Sequence, residues 1–580
     1  MRASALLLLC NFGLWLSCAE ASGVAHADLI LHHGRIVTVD SRFSVASAIA
    51  VTGNLITEVG NNRSVLKLKG PNTKVIDLEG RMVLPGLIDS HVHPDAAMTD
   101  FDHEVPPMET IQDVLEYVKA RAAALPEGEW IQLRQVFITR LREQRYPTRD
   151  ELDAAAPKHP VSFATGPDQM LNSLALKLAG IDRNFKVTDD GPGHVELDPL
   201  TGEPTGLLRG LGRFVKIKPF GKPPGEQDYI RRTLQLFKDY NSVGLTTVCD
   251  RNANPASIQR YQKLLDGGEL PVRLMVSHGV ATLGPLEEVQ NRIRQVAEHP
   301  LRRGGPMLRI IGIKTFLDGG MLTGSAYMRE PWGVSRIYGI TDPNYRGVLN
   351  IPPDRLQPIV RTAVDAGLQF TAHAVGDGAV HTLLDIYEQI DRETPVRQTR
   401  PCITHSNFMS REDVERAARM GVVIDIQPAW LYLDARTLVN QFGYKRLRYF
   451  QPLRSIFAQG GIVGGGSDHM QKIDSLRATN PYNPFLGMWI AVTRRARWHE
   501  GRVHPEERLN REQAIRFYTR NNAHLLFLED KVGSLEPGKL ADFVVLDTDL
   551  LRCTEDTIKD AQVLQTYLDG RLVFERRLSN

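Results

Sequence analysis

The sequence of 580 residues predicts an α/β protein in which a parallel sheet lies between two β-rich chain ends. Strands and helices alternate through the centre, as in the strand "RPCITH", the helix "REDVERAARM" and the next strand "VVIDIQP". Several such βαβ units imply a parallel sheet. Both ends instead carry short strands with tight turns, and the length suits one large barrel with a smaller domain.

The two chain ends have the same pattern of short predicted strands joined by tight turns. Near the start, "DLILHHGRIVTVD" and "ASAIAVTGNLITEVG" each predict a hairpin around a glycine-containing turn. Near the end, "ADFVVLDTDL" and "TYLDGRLVFE" repeat the pattern, with Asp569 and Gly570 at the turn. We therefore expect residues 28–84 and 526–580 to meet in one β domain, with the barrel over 85–525.

Helix boundaries are also readable in the sequence. Thr110 followed by Asp113 predicts a capping box at the start of "IQDVLEYVKARAAAL", and Ser410 with Asp413 predicts another before "REDVERAARM". Residues 317–350 are rich in Gly, Pro and Tyr and have no sustained periodicity, which predicts a long functional loop.

Composition excludes several classes of protein. Apolar residues make up 42% of the chain and charged residues 24%, which is typical of a soluble globular protein. The 70 basic and 68 acidic residues nearly balance, so nothing favours nucleic acid or an acidic membrane surface as a partner. Beyond the first 27 residues only three cysteines remain, far apart, which implies no disulfide framework: Cys249, Cys402 and Cys553.

Residues 1–27 predict a secretory signal peptide. Arg2 precedes the apolar run "ALLLLCNFGLWL", which is too short to span a bilayer comfortably. The Ala25-His26-Ala27 sequence that follows is typical of a cleavage site, so cleavage is expected near Ala27 and the product is expected to be periplasmic or secreted. An uncleaved anchor is the alternative, and no other membrane association is predicted.

Two histidines alternate along one predicted strand in "GLIDSHVHPD", so both point to the same side. Four later residues of metal-binding type also stand at the end of an apolar run. In a β/α barrel the carboxyl ends of the strands converge on one face, where the active site lies. The pair alone could be two surface residues, but the whole set predicts a metal site. Its six members are His91, His93, Lys314, His373, His405 and Asp468.

The spacing of these six residues fits one barrel, which uses about 31 residues per βα unit. One unit separates His373 from His405, and two units separate His405 from Asp468. The interval between the first pair and Lys314 leaves room for three units and an insertion around 100–215. The spacing therefore places the six residues on strands 1, 4, 5, 6 and 8.

The order of these residues resembles the amidohydrolase superfamily. The segments "GLIDSHVHP", "KTFLDGG", "AHAVGDGAV", "THSNFM", "GSDHM" and "VGSLEPGKLADFVVLD" look like its amidohydrolase 3 branch, which includes N-substituted formamide deformylase-like metal-dependent hydrolases. The similarity covers nearly the whole chain after residue 27. It implies a distorted (β/α)8 TIM barrel with a composite β-sandwich formed by both chain ends.

The resemblance also implies a centre with two divalent metal ions. His91 and His93 would bind one ion with Asp468, and His373 and His405 would bind the second. Imidazole and carboxylate ligands make zinc the default metal, although manganese, iron, cobalt or nickel would fit with little change.

The resemblance gives Lys314 and Asp468 distinct roles. An unmodified lysine is a poor ligand, because its pKa near 10.4 leaves it an ammonium. Carboxylated by CO₂ to a carbamate, Lys314 would become an anion able to bridge both ions. Metal-bound hydroxide would be the nucleophile, since a metal lowers the pKa of water from about 15.7 to about 7. Asp468 would act as general base and pass the proton to the leaving nitrogen.

We therefore expect a metal-dependent amidohydrolase that acts on a small molecule at the C–N bond of an amide or N-acyl amine. Gln427, Trp430 and His469 are predicted to contact the substrate. A cyclic amide, carbamate or ester substrate, or a deamination, stays open on the same barrel. A non-catalytic periplasmic binding protein on a decayed barrel is the alternative from another class. The oligomeric state is open, a homo-oligomer included.

One segment departs from the family pattern. Relatives often carry a Gly-His pair ahead of an Asn-Ser-x-Ala-Leu segment in the insertion. The segment "NSLAL" (172–176) is present here, but Pro167 stands where that histidine would align. A substrate contact by the histidine therefore cannot be carried over, which weakens an assignment to formamides and leaves the metal ligands untouched.

Overall fold

The computed structural model describes residues 26–99, 101, 103–134, 136–165, 168–218, 220–221 and 223–577. The predicted signal peptide lies outside the described residues up to position 25, and so does Pro167. Within the described ranges, no helix combines the length and apolarity that crossing a membrane would require.

The centre of the chain forms a nearly closed barrel of eight parallel strands, which follow one another in sheet order. Their residues are mostly buried on both faces, as the continuous apolar runs of the sequence require. The predicted α/β barrel is thus confirmed. Its strands 1 to 8 are Leu87–Val92, Leu245–Ala253, Arg273–Gly279, Leu308–Phe316, Gln369–Ala374, Cys402–His405, Val423–Ile426 and Ile462–Gly465.

Helices follow the barrel strands, and several of them begin at side-chain caps. Thr110 and Asp113 form the predicted capping box, and so do Ser410 and Asp413, whose helix ends at Gly421 in the left-handed conformation (φ 71°). The helices of the barrel and its insertion are Pro94–Ala97, Ile111–Ala124, Arg149–Ala155, Ser173–Ala179, Glu226–Ser242, Pro255–Asp266, Leu286–Glu298, Pro353–Asp365, Asp377–Asp391, Arg411–Met420, Pro428–Arg446, Leu453–Ala458, Pro484–Thr493, Arg511–Phe517 and Arg520–Leu525.

The seam between barrel strands 1 and 8 is closed by side chains and by the segment that follows strand 8. Asn522 donates from Nδ2 to the carbonyl oxygens of Ile88 (2.5 Å) and Gly465 (2.7 Å), one on each side of the seam. At the other end, the backbone N–H of Asp468 donates to the carbonyl of His91 at 2.8 Å. Closure of the barrel therefore places a predicted metal ligand of strand 8 beside one of strand 1.

Strands from both chain ends pair in one six-stranded sheet. Phe543–Leu546 lies antiparallel to Met82–Pro85, which joins the C-terminal strands to the N-terminal ones. This sheet contains, in order, Arg571–Glu575, Val563–Leu568, Phe543–Leu546, Met82–Pro85, Arg35–Val37 and Val45–Ala46. A four-stranded sheet contains Leu55–Gly60, Ala48–Thr52, Ala27–His32 and Lys69–Asp77, with the short helix Asn62–Val65 beside it. That the two sheets form a β-sandwich stays a prediction.

Two of the three predicted hairpins are confirmed. Ala48–Thr52 pairs antiparallel with Leu55–Gly60, and the last two strands pair around Asp569 and Gly570. The first predicted hairpin is wrong, because Ala27–His32 and the strand after it lie in different sheets. The chain leaves its first strand at His33, whose φ of 50° redirects the backbone.

Between barrel strands 1 and 2, the insertion adds a five-stranded sheet, with strands Ile131–Arg134, Val161–Thr165, Asp168–Leu171, His194–Leu197 and Pro204–Arg209. Residues 317–350 contain no regular helix or strand, as predicted. The fully buried Arg209 of the insertion donates to the carbonyl of Thr323 in this loop (2.6 Å) and pairs with Asp168 (3.1 Å). The insertion thus holds the loop over the carboxyl end of the barrel.

Candidate metal centre

Three predicted ligands converge at the carboxyl end of the barrel. The Nε2 atoms of His91 and His93 are 3.1 Å apart, and they lie 3.3 and 3.1 Å from Oδ1 of Asp468. Ligand atoms bound tetrahedrally to zinc at 2.0–2.1 Å are separated by about 3.3 Å. The spacing of these atoms therefore matches one set of ligands around a single ion.

His91 is oriented by Asp425, a buried residue of barrel strand 7. Its Nδ1 lies 3.0 Å from Oδ2 of Asp425, and an ionised carboxylate can only accept, so Nδ1 carries the proton. Nε2 then keeps its lone pair for a metal. Complete burial holds the pKa of His91 well below its usual value, which keeps the ring neutral.

The same carboxylate orients His405 through Gln427. Nδ1 of His405 donates to Oε1 of Gln427 at 2.7 Å, and Nε2 of Gln427 donates to Oδ1 of Asp425 at 2.8 Å. His405 therefore also keeps its Nε2 lone pair. Burial likewise lowers its pKa far below the usual value, and its φ of 79° is strained for a non-glycine residue, as is common at functional sites.

His373 and Lys314 lie in the same pocket as these groups. Nε2 of His373 donates to the carbonyl of Gly319 at 3.2 Å, which leaves Nδ1 as its ligand atom, and its ring lies 4.5 Å from that of His405. Burial lowers the pKa of His373 to about 3. Lys314 is fully buried, its Nζ has no hydrogen-bond partner among the described residues, and burial lowers its pKa to about 8.

Asp468 is held in position by Asn480. Nδ2 of Asn480 donates to the backbone carbonyl of Asp468 (2.7 Å) and to its Oδ2 (3.2 Å), so that Oδ1 faces the two histidines. The φ of Asp468 is 55°, again in the left-handed region. Gly466 allows this turn to pack closely, because a Cβ there would lie 2.7 Å from the Cβ of His91.

A cavity of about 530 Å³ opens above the centre. His93, Lys314, His373, His405 and Asp468 form its floor. Its remaining lining residues are Asp95, Ala96, Phe137, Thr165, Asp250, Asn252, Asn254, Ser257, Phe316, Asp318, Gly320, Leu322, Thr323, Asn350, Trp430 and Met470.

Of the three predicted substrate contacts, only Trp430 lines the cavity, where its ring stacks on that of His405 at 4.6 Å. Gln427 is fully buried behind His405 and is occupied in orienting it. His469 is also fully buried: its Nε2 donates to the carbonyl of Lys472, and its Nδ1 accepts from the hydroxyl of Tyr240, both at 2.8 Å. Neither Gln427 nor His469 is therefore placed to touch substrate, and both predictions are corrected to supporting roles.

The donor set fits divalent metal ions. Burial holds three of the histidines neutral, and each has one ring nitrogen bound to an acceptor and the other left with a lone pair. The carboxylate of Asp468 faces the Nε2 atoms of His91 and His93. Buried imidazoles and a carboxylate at these distances are typical of zinc and related metals.

Asp425 and Asn480 were missed by the sequence analysis. Asp425 interrupts the apolar strand "VVIDIQP", and a single acidic residue in a buried strand was the available signal. Asn480 follows barrel strand 8 at a distance and carries no comparable signal. Its role depends on how the chain folds back after Asp468.

Replacing Asp425 with asparagine is expected to lower zinc affinity by about 10- to 100-fold, the usual effect of losing a residue that orients metal ligands. The amide can donate to Nδ1 of His91, which would move the ring proton to Nε2 and remove its lone pair. Competition with a chromophoric chelator would measure the affinity.

Asp413→Asn is the matched control for this variant. Asp413 is also buried and caps a barrel helix, so its loss should lower thermal stability without changing zinc affinity. Equal zinc affinity in Asp425→Asn and wild type would show that Asp425 does not orient the ligands.

A parallel barrel with this donor set at its strand ends defines a metal-dependent hydrolase. The chain belongs to the amidohydrolase family, whose model matches residues 74–574, and it is an amidohydrolase. It is 30% identical over 565 residues to the N-substituted formamide deformylase of Arthrobacter pascens, covering 95% of this chain and 98% of that protein. It is 27% identical to the putative amidohydrolase YtcJ of Bacillus subtilis (strain 168), covering 94% and 99%.

The fold has a solved counterpart in an uncharacterized metal-dependent hydrolase from Pyrococcus horikoshii OT3. The TM-score is 0.63 and the identity 20%, with 91% of this chain and 99% of that chain covered. At this identity the likeness concerns the fold alone.

Proposed function

We propose that this amidohydrolase hydrolyses the C–N bond of an amide or N-acyl amine with the help of bound divalent metal. The observation that carries this proposal is the convergence of His91, His93 and Asp468, whose ligand atoms lie 3.1–3.3 Å apart. His93 and Asp468 also lie on the floor of the cavity. The name of the relative from Arthrobacter pascens, an N-substituted formamide deformylase, supports a C–N bond as the point of attack.

Two cations would be held by two sets of residues. His91, His93 and Asp468 would bind one, and His373 and His405 would contribute to the other. When bound, such cations supply Lewis acidity, which lowers the pKa of a water molecule from 15.7 to about 7 and polarises a carbonyl group. Zinc is the default from the ligand types.

Asp468 would accept the proton of the attacking water at its carboxylate and deliver it to the departing nitrogen. Asn480 fixes the orientation of this carboxylate. The ring lone pairs of the histidines would be bound to the cations, so Asp468 is the best-placed base. The apolar rings of Trp430 and Phe137 would exclude bulk water from the reacting bond.

Lys314 would act as a carbamate. Its lowered pKa, about 8, leaves a substantial fraction of neutral amine near pH 7.5, and only the neutral amine attacks CO₂. The nitrogen forms a bond to the carbon of CO₂ and loses one proton, which gives an anion in place of a buried ammonium without a partner.

The direct experiment combines metal content with a substrate panel. Protein expressed with zinc and bicarbonate is expected to release amine from N-formyl or N-acetyl amines, to lose this activity with a chelator and to regain it with zinc. Hydrolysis of esters alone would contradict a C–N bond as the target. Absence of bound metal together with absence of hydrolysis would overturn the proposal and favour a binding protein.

A further inference from the structure

The cavity has a second polar feature that the proposed chemistry does not use. Asp250 lies on barrel strand 2, is only 3% exposed and lines the cavity. Its carboxylate accepts from the backbone N–H of Asn252 (3.1 Å) and from the hydroxyl of Tyr261 (2.9 Å). Among the described residues, no basic side chain lies within ion-pair distance of it.

A buried carboxylate without a cation is costly, because burial removes its hydration and neutral donors replace only part of it. Burial raises the pKa of Asp250 to about 6, so the group is still mostly ionised above pH 7. Asp95 on the same wall differs, since Arg260 pairs with it at 2.6 Å and Asn254 donates to it at 3.1 Å. Asp318, which also lines the cavity, accepts from three backbone N–H groups at 2.9–3.0 Å. Asp250 accepts from only two neutral donors and has no cationic partner among the described residues.

The rest of the wall offers no cation to a negatively charged substrate. Its larger side chains are apolar: Phe137, Phe316, Leu322, Trp430 and Met470. Among the described lining residues there is no arginine, and Lys314 belongs to the metal centre. A substrate carboxylate away from the centre would therefore face the negative charge of Asp250 with no cation to offset it.

We propose that Asp250 selects substrates by charge. The cavity would bind amides whose apolar group carries a cation or an N–H donor, and it would exclude amides whose apolar group carries a carboxylate. This proposal rests on the proposed function for the choice of an amide. Asp250 would pair with the positive or N–H group of the substrate, which supplies the missing partner. Hydrogen bonds to a charged group contribute about 1.5–3 kcal/mol, or roughly 10- to 150-fold in affinity.

Three N-acetylbenzylamines test this inference, with a para aminomethyl, carboxamide or carboxylate group on the same skeleton. Calorimetric titration of the zinc-loaded protein measures their binding and needs no turnover. The aminomethyl and carboxamide probes are expected to bind at least about tenfold tighter than the carboxylate probe. Asp250→Asn should abolish the advantage of the aminomethyl probe over the carboxylate probe. The control variant is Asp266→Asn, on the helix after strand 2, which removes one negative charge outside the cavity. It should keep the binding advantage of the aminomethyl probe.

A second variant reverses the charge on the wall. Asn252 is exposed and lines the cavity beside Asp250. In Asn252→Lys, the carboxylate probe should bind more tightly than either of the other two probes. This variant keeps the proposal testable if Asp250→Asn does not fold.

Several results would overturn the proposal. The first is that the carboxylate probe binds wild type as tightly as the other two probes or more tightly. The second is that the order of binding of the three probes is unchanged in both Asp250→Asn and Asn252→Lys. The third is that no probe binds at millimolar concentration. Loss of zinc from Asp250→Asn would also overturn it, because Asp250 would then serve the metal. Selective binding without hydrolysis would instead contradict the proposed function and leave this inference standing.

Discussion

The Asp468→Asn variant is expected to lose about 10²–10⁴-fold in kcat/KM, the usual contribution of a general base, on any amide that the wild type hydrolyses. An asparagine keeps the shape of the side chain but cannot accept a proton. It also removes the negative charge that lies 3.1 Å from Nε2 of His93 and 3.3 Å from Nε2 of His91. Steady-state kinetics on the best amide, with metal content measured on the same sample, would test this.

Zinc content separates the two roles of Asp468. If it serves as base, the variant should retain zinc, and excess zinc should not restore its activity. If it serves only as ligand, zinc content should fall, and excess zinc should restore most of the activity.

Asp474→Asn is the matched control for this substitution. Asp474 follows Asp468 in the same segment, but it accepts from Leu476 and Arg477 and does not line the cavity. The control should keep full activity and zinc content. Without added zinc, an Asp468→Asn enzyme with more than about a tenth of wild-type activity would contradict both roles, since even the smallest general-base contribution is larger.

The positions of the six predicted ligands followed from the sequence because each stands at the end of an apolar run. In a parallel barrel, the ends of such runs meet at one face regardless of the distance between them along the chain. His405 and Asp468 are far apart in the sequence, yet both sit at the carboxyl ends of strands around the same floor. Spacing also placed them on strands 6 and 8; in the structure His405 ends strand 6, and Asp468 follows the last residue of strand 8, Gly465.

The supporting residues could not be predicted in the same way, because their roles depend on which side of a strand faces which neighbour. Gln427 comes directly after strand 7 and was expected to touch substrate. The structure turns it inward, where it connects His405 to Asp425. His469 was expected to lie in the pocket. Instead its Nδ1 accepts a hydrogen bond from the hydroxyl of Tyr240, which stands 229 residues earlier in the chain. Export through residues 1–27 and the oligomeric state stay predictions.

Lys314→Met is expected to lower both the zinc content of the metal centre and the rate of amide hydrolysis. Methionine has nearly the volume of lysine and suits a buried site, so the fold should survive while the nitrogen that could take up CO₂ is gone. Plasma mass spectrometry should show two zinc ions per wild-type chain and fewer in the variant, with amide hydrolysis falling at least about 10²-fold. Lys472→Met, which removes a lysine paired with Glu104 outside the cavity floor, should keep both ions.

The metal count discriminates among the possible centres because Nζ of Lys314 has no hydrogen-bond partner among the described residues that a metal would have to displace. Carbon-13 NMR of protein prepared with labelled bicarbonate should show a carbamate signal in the wild type and none in Lys314→Met. Two ions in both proteins would mean that the lysine bridges nothing. One ion in both would mean that His91, His93 and Asp468 hold a mononuclear centre, and the lowered pKa of Lys314 would then only reflect its burial. A carbamate signal with two ions in the wild type alone would establish that CO₂ uptake assembles the second half of the centre.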